Sequence, residues 1–171
     1  MGDVVYSIDN KELEEVVGEF LISNNISISI AESCTGGLLS SYFTSVPGIS
    51  SVFKKGVITY SNESKMKDLG VNEETLKNYG AVSKETAIEM AKGVRESSNT
   101  DIGLSVTGIA GPGGGTQEKP VGLVYIAIAN KEGAHYNRLN ISGDRDKVRK
   151  FSALSLIDML RTYLSNSFRR Y

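Results

Sequence analysis

A chain of 171 residues, 40% hydrophobic and 23% charged, is long enough to bury one substantial core and has the composition of an ordinary globular domain. Its 19 Lys and Arg against 20 Asp and Glu leave a net charge of −1, which argues against broad binding to nucleic acid or to an anionic membrane. One cysteine, Cys34, and one histidine, His135, exclude an intrachain disulfide and a thiolate or multi-histidine metal centre, so no metal site is expected. No run of about 20 apolar residues would span a membrane, and the first 25 residues lack a signal-peptide pattern, so the cytoplasm is the expected compartment.

In chain order, Asp9 is a good N-cap, with Glu12 three residues on to close a capping box. Leu13, Val16, Val17, Phe20 and Leu21 then repeat at helical spacing as far as Ser23 and Asn24. Residues 26–31 read as a strand. The turn AESCTGG (31–37) follows, and a helix continues to about Ser45, where Pro47 and Gly48 stop it. GVITY (56–60) is a β-branched and aromatic strand, ending at Ser61 and Asn62, either of which can cap a short helix carrying Lys65. Asn72 caps another short helix that Gly80 closes, and Ser83 caps a longer one with Ala87, Ile88, Ala91 and Val94 on one face.

Residues 101–107 read as a buried strand that runs into the glycine-rich loop GIAGPGGGTQEKP (108–120). Residues 121–129 and 135–141 are two more strands at hairpin distance. Asp144 caps a long final helix whose apolar face runs from Val148 through Phe151, Leu154, Ile157, Leu160 and Leu164 to Phe168. The resulting order, α-β-α-β-α-α-α-β-β-β-α, predicts an α/β three-layer sandwich: a mixed, mostly parallel sheet of about five strands flanked by helices. Without repeats or linkers, residues 1–171 are expected to form a single domain.

Three segments carry possible chemistry. At the AESCTGG turn, the first amides of a helix lack internal partners and carry partial positive charge, which suits a phosphate or a developing oxyanion. Ser33 and Cys34 are the candidate nucleophiles, with a plain turn serine and a buried filler cysteine as the alternatives. In YSNESK (60–65), Lys65 lies in a first helical turn, where the dipole disfavours its ammonium form. Burial would make it a general base beside Tyr60, and solvation would make it an ordinary surface lysine. The loop from Thr107 to Thr116 matches neither the dinucleotide fingerprint nor the phosphate-binding loop, yet it follows a buried strand, where ligands of α/β sheets gather. Arg145, placed against the dipole in the last helix, suggests an anion to bind or a surface pair with Asp144 or Asp146.

AESCTGG, GVITYSNESK (56–65), GAVS (80–83), SVTGIAGPGGG (105–115) with EKPVGLVYIA (118–127), and SGDRDKVR (142–149) occur in this order along nearly the whole chain. Together they resemble the C-terminal domain of the competence- and damage-inducible CinA family, whose free-standing form is known as nicotinamide-nucleotide amidase. The resemblance implies hydrolysis of the carboxamide of nicotinamide mononucleotide, a small-molecule nucleotide, to nicotinate mononucleotide and ammonia in pyridine-nucleotide (NAD) salvage. It implies Ser33 as nucleophile with Tyr60 and Lys65 as its partners, no cofactor and no metal, and a homo-oligomer, dimer or higher. On that reading, amides around Thr35, Gly36 and Gly37 hold the oxyanion and Cys34 lines the site. Thr107, Gly108, Gly111 and Arg145 hold the ribose phosphate, and Glu32 balances the charge of the pyridinium ring.

Many members of that family carry a further N-terminal domain resembling molybdopterin-binding proteins. These 171 residues contain no counterpart, so its activities, such as hydrolysis of ADP-ribose, are not expected of them. Two rival readings stay open: a nucleotide-binding regulatory module of the same fold, and an amidase for a different amide. A role in DNA uptake or repair, suggested by the family name, has no support in the charge balance.

Overall fold

The computed structural model describes residues 11–168. Helix α1 (Leu13–Ser23) leads to strand β1 (Ile28–Glu32), helix α2 (Leu38–Thr44), a 3-10 turn (Ile49–Ser51) and strand β2 (Phe53–Ile58). Helices α3 (Asn62–Leu69), α4 (Glu73–Tyr79) and α5 (Lys84–Ser98) follow. Strands β3 (Ile102–Gly108), β4 (Leu123–Ala129) and β5 (Ala134–Asn140) and helix α6 (Arg145–Phe168) complete the chain. The predicted caps at Ser61, Asn72 and Ser83 accept from the backbone of Ser64, Glu74 and Thr86, and Asp144 accepts from the Lys147 amide at 2.8 Å. At α1 the Glu12 amide donates to the Glu15 carboxylate at 2.8 Å; the cap expected at Asp9 lies outside the described residues.

The sheet order is β2-β1-β3-β4-β5. Strand β1 pairs in parallel with β2 and β3, while β4 is antiparallel to both β3 and β5, so β4 alone opposes the other four strands. This is the mixed, mostly parallel sheet expected from the sequence. Helices α1, α2 and α6 pack on one face; α5, with α3 and α4, packs on the other.

The two faces are built differently. Ile28 and Ile30 of β1 and Ile102, Leu104 and Val106 of β3 join Leu21, Phe43, Leu156 and Leu160 in the larger core. The alternate residues toward α5 are small. Ser29 Oγ donates to Val94 O at 3.0 Å and Ser105 Oγ to Ala87 O at 2.6 Å, so buried hydroxyls find partners on the helix backbone. A Cβ at Gly103 would lie 2.1 Å from Ala91 O, which shows how closely α5 presses on the sheet. Partners ascend along α5 as they descend along the strands, so the first turn of α5 lies beside the carboxyl ends of β1 and β3. Among the described residues no helix is long and apolar enough to cross a membrane, and no cluster of three His, Cys, Asp or Glu is placed to hold a metal ion.

Candidate active site

A pocket of about 190 Å³ opens where β1, β2 and β3 end. Ser33 and Cys34 enter it after β1, Tyr60 and Lys65 after β2, and Thr107 and Gly108 at the end of β3. Crevices beyond strand carboxyl ends are the usual ligand sites of α/β sheets. Because β4 reverses the direction, β5 also ends on this side, and α6 brings Arg145 to the pocket.

Lys65 is only 1% exposed. Its Nζ lies 3.2 Å from Ser33 Oγ and 2.7 Å from the Thr59 carbonyl. Among the described residues no carboxylate forms an ion pair with it. Burial without a counter-charge penalises the ammonium, so the pKa falls below the ordinary 10.5. In the neutral amine, Thr59 O takes one N–H and the lone pair is left for the Ser33 hydroxyl. Ser33 is held in turn by its amide, which donates to Val106 O at 3.0 Å. The pair therefore has the geometry of a nucleophile and its base. Cys34 is buried beside them, and burial pushes its thiol up to about 12, leaving it protonated and unreactive at neutral pH.

The turn differs from expectation in one respect. Helix α2 starts at Leu38, four residues after Cys34, and its free amides point at Glu32. The fully buried Glu32 carboxylate accepts from the amides of Gly37 (3.0 Å), Leu39 (3.1 Å) and Ser40 (2.8 Å), and from Ser40 Oγ (2.7 Å). Glu32 is thus committed to the start of α2 and does not line the pocket, so it makes no direct contact with a ligand there, although its charge is felt at Cys34. Gly37 N–H is consumed by Glu32, and Gly36 N–H donates to Ser33 O at 3.2 Å. The Cys34 amide faces its own thiol sulfur, and among the described residues no oxygen accepts from the amide of Thr35, which remains for a ligand.

Tyr60 also departs from expectation. The residue is 64% exposed, and its hydroxyl accepts from Arg145 Nη2 at 3.3 Å rather than meeting Ser33 or Lys65. Arg145 Nη1 donates to Gly111 O at 2.8 Å, joining the glycine loop to the pocket mouth. Thr107 lines the pocket, but its hydroxyl donates to Ala81 O at 2.8 Å and fixes the GAVS segment as a wall. Arg149, one turn after Arg145, holds Thr35 O from Nη2 at 2.9 Å and Nε at 3.3 Å. Sequence reasoning assigned Arg149 no role, although its i,i+4 spacing from Arg145 puts both on one helix face. His135 stands apart, on β5 in a separate groove beside Tyr163, with ring centroids 6.2 Å apart, so a Ser-His pair with Ser33 does not form.

Fold and site together define an α/β protein with a buried serine–lysine pair at the carboxyl edge of its parallel strands. Residues 10–164 match the CinA C-terminal domain, and the chain belongs to that family. A protein of Acetivibrio thermocellus, named as competence-damage inducible, is 56% identical over 164 residues, which cover 96% of this chain and 40% of the relative. A CinA-like protein of Fervidobacterium nodosum is 50% identical over 161 residues, 94% of this chain and 40% of its own length. The chain thus spans about 40% of these curated relatives. Among solved structures, a competence/damage inducible protein of Agrobacterium tumefaciens is 37% identical with a TM-score of 0.83, covering 89% of this chain and 96% of its own. A CinA superfamily protein of Escherichia coli is 30% identical with a TM-score of 0.84, covering 92% and 91%.

Proposed function

We propose that the chain is a serine amidohydrolase that deamidates nicotinamide mononucleotide to nicotinate mononucleotide and ammonia. The observation that carries this reading is the 3.2 Å contact between Ser33 Oγ and a buried Lys65 Nζ that has no ion pair among the described residues. Neutral Lys65 takes the Ser33 proton as Oγ adds to the carboxamide carbon. The Thr35 amide receives the tetrahedral oxyanion, a contribution of about 3 kcal/mol for one such donor. The C–N bond breaks as Lys65 returns the proton to the departing nitrogen, releasing ammonia. Water, deprotonated by Lys65, adds to the acyl-enzyme; the C–Oγ bond breaks, and the proton returns to Ser33. A pyridinium ring in the pocket would further disfavour a charged Lys65.

The substrate assignment rests on the family resemblance and on size. A pocket of about 190 Å³ suits the pyridine carboxamide alone and leaves the ribose phosphate at the mouth, where Arg145 stands. The test is release of ammonia and nicotinate mononucleotide by the wild type and by Ser33→Ala. Turnover in the wild type and none in Ser33→Ala, with substrate binding kept, is the expected result. Tight binding without wild-type turnover would point instead to a nucleotide-binding module.

A further inference from the structure

Arg145 is the first residue of α6, and among the described residues its guanidinium meets only neutral acceptors: Gly111 O at 2.8 Å and the Tyr60 hydroxyl at 3.3 Å. The neighbouring carboxylates are turned elsewhere. Asp144 caps the helix through the Lys147 amide, and Asp146 lies 3.6 Å from Arg149. Among the described residues Arg145 has no ion pair. Its two bonds tie together the three segments at the pocket mouth: the end of β2, the glycine loop and the start of α6. They also hold the Tyr60 hydroxyl on the arginine, although the Tyr60 ring lines the same pocket as Ser33 and Lys65.

A phosphate monoester offers this guanidinium charge-assisted, bidentate bonds, roughly twice as strong as those to neutral oxygen. It therefore displaces the weaker acceptors, and the longer bond, to Tyr60, is the first to go. We propose that Arg145 is a specificity-determining switch: a phosphate on the substrate replaces the Tyr60 hydroxyl on the guanidinium, and the freed hydroxyl turns toward Lys65 and Ser33. Phosphate recognition then acts on turnover as well as on affinity, because the ligand stabilises the released state differentially. A ribosylated pyridine carboxamide without phosphate enters the pocket but meets a site whose tyrosine is still held. The substrate named here rests on the proposed amidase reading; the switch itself rests on the contacts of Arg145.

Supplying the substrate in two pieces tests this. Ammonia release from nicotinamide riboside is measured with and without inorganic phosphite, beside release from nicotinamide mononucleotide. In parallel, the acylation burst of Ser33 by p-nitrophenyl acetate reports the nucleophile without any amide. Phosphite is expected to raise kcat on the riboside and the burst rate by about tenfold or more. Arg145→Met loses that response. Tyr60→Phe loses it as well, whereas Arg145→Lys keeps part of it. Turnover of the mononucleotide with neither rate moved by phosphite overturns the switch and leaves the amidase reading standing. No mononucleotide turnover, with a burst that phosphite accelerates through Arg145, supports the switch and sends the amidase reading to another phosphate-bearing substrate. Silence in every assay overturns both.

Discussion

Lys65 Nζ stands between Ser33 Oγ at 3.2 Å and Thr59 O at 2.7 Å, so one backbone carbonyl orients the amine that faces the Ser33 hydroxyl. A general base of this kind contributes about two to four powers of ten to rate. Lys65→Met is expected to lower kcat about a thousandfold with a smaller change in KM. In the wild type, kcat/KM rises with pH as Lys65 loses its proton and levels off below 10.5, because burial lowers the lysine pKa. A pH–rate profile that keeps rising beyond 10.5 would remove Lys65 as the base.

The same lowered pKa bears on stability. Between the folded-state pKa of Lys65 and the unfolded 10.5, the unfolded chain binds the additional proton, so the contribution of Lys65 to stability improves as pH rises through that window. Below it the full cost of burying an ammonium is incurred. Urea unfolding of wild type and Lys65→Met across neutral to alkaline pH checks this. The wild type should gain on the variant as pH rises, and a pH-independent difference would contradict the buried-amine account.

Glu32 gathers four donors at the start of α2. Glu32→Gln removes the charge and turns an amide N–H₂ toward backbone N–H groups, leaving buried donors unsatisfied. The expected loss is about 2–4 kcal/mol, read as a lower urea midpoint with an unchanged m-value. Because Gly37 is one of the four donors, the Ser33 turn loosens too, and kcat should fall more than KM rises.

Cys34 adjoins Ser33 but is buried and protonated at neutral pH. Cys34→Ala should retain Ser33-dependent turnover while costing about 1 kcal/mol of stability for the lost sulfur volume. Iodoacetamide should leave the folded enzyme active. Rapid inactivation by the reagent, with protection by substrate, would reopen the thiol as a nucleophile.

Much of this was legible in the sequence, and the exceptions have physical causes. The element order followed from periodicity and from the caps at Asn72, Ser83 and Asp144, which are local signals. The Ser33–Lys65 pair was implied by the family resemblance alone, because Lys65 by itself read equally as a surface lysine; its burial depends on β1 and β2 being neighbours, a non-local fact. The direction of Glu32 was also encoded, since it shares strand parity with Ile28 and Ile30, which face α2 and α6. Adjacency to the nucleophile outweighed that signal. The contact of Tyr60 with Arg145 joins residues 85 apart, and no local pattern carries it.

The bond from Arg149 to Thr35 closes a loop of 114 positions. Ser33 and Lys65 precede α6 in the chain, but the Thr35 carbonyl beside Ser33 meets Arg149 only when α6 docks. A chain cut before that helix would hold a serine and a lysine without Arg149 on the Thr35 carbonyl and Arg145 at the pocket mouth. Completion of the pocket is thus contingent on the docking of α6, however soon the Ser33 turn and the Lys65 helix take shape.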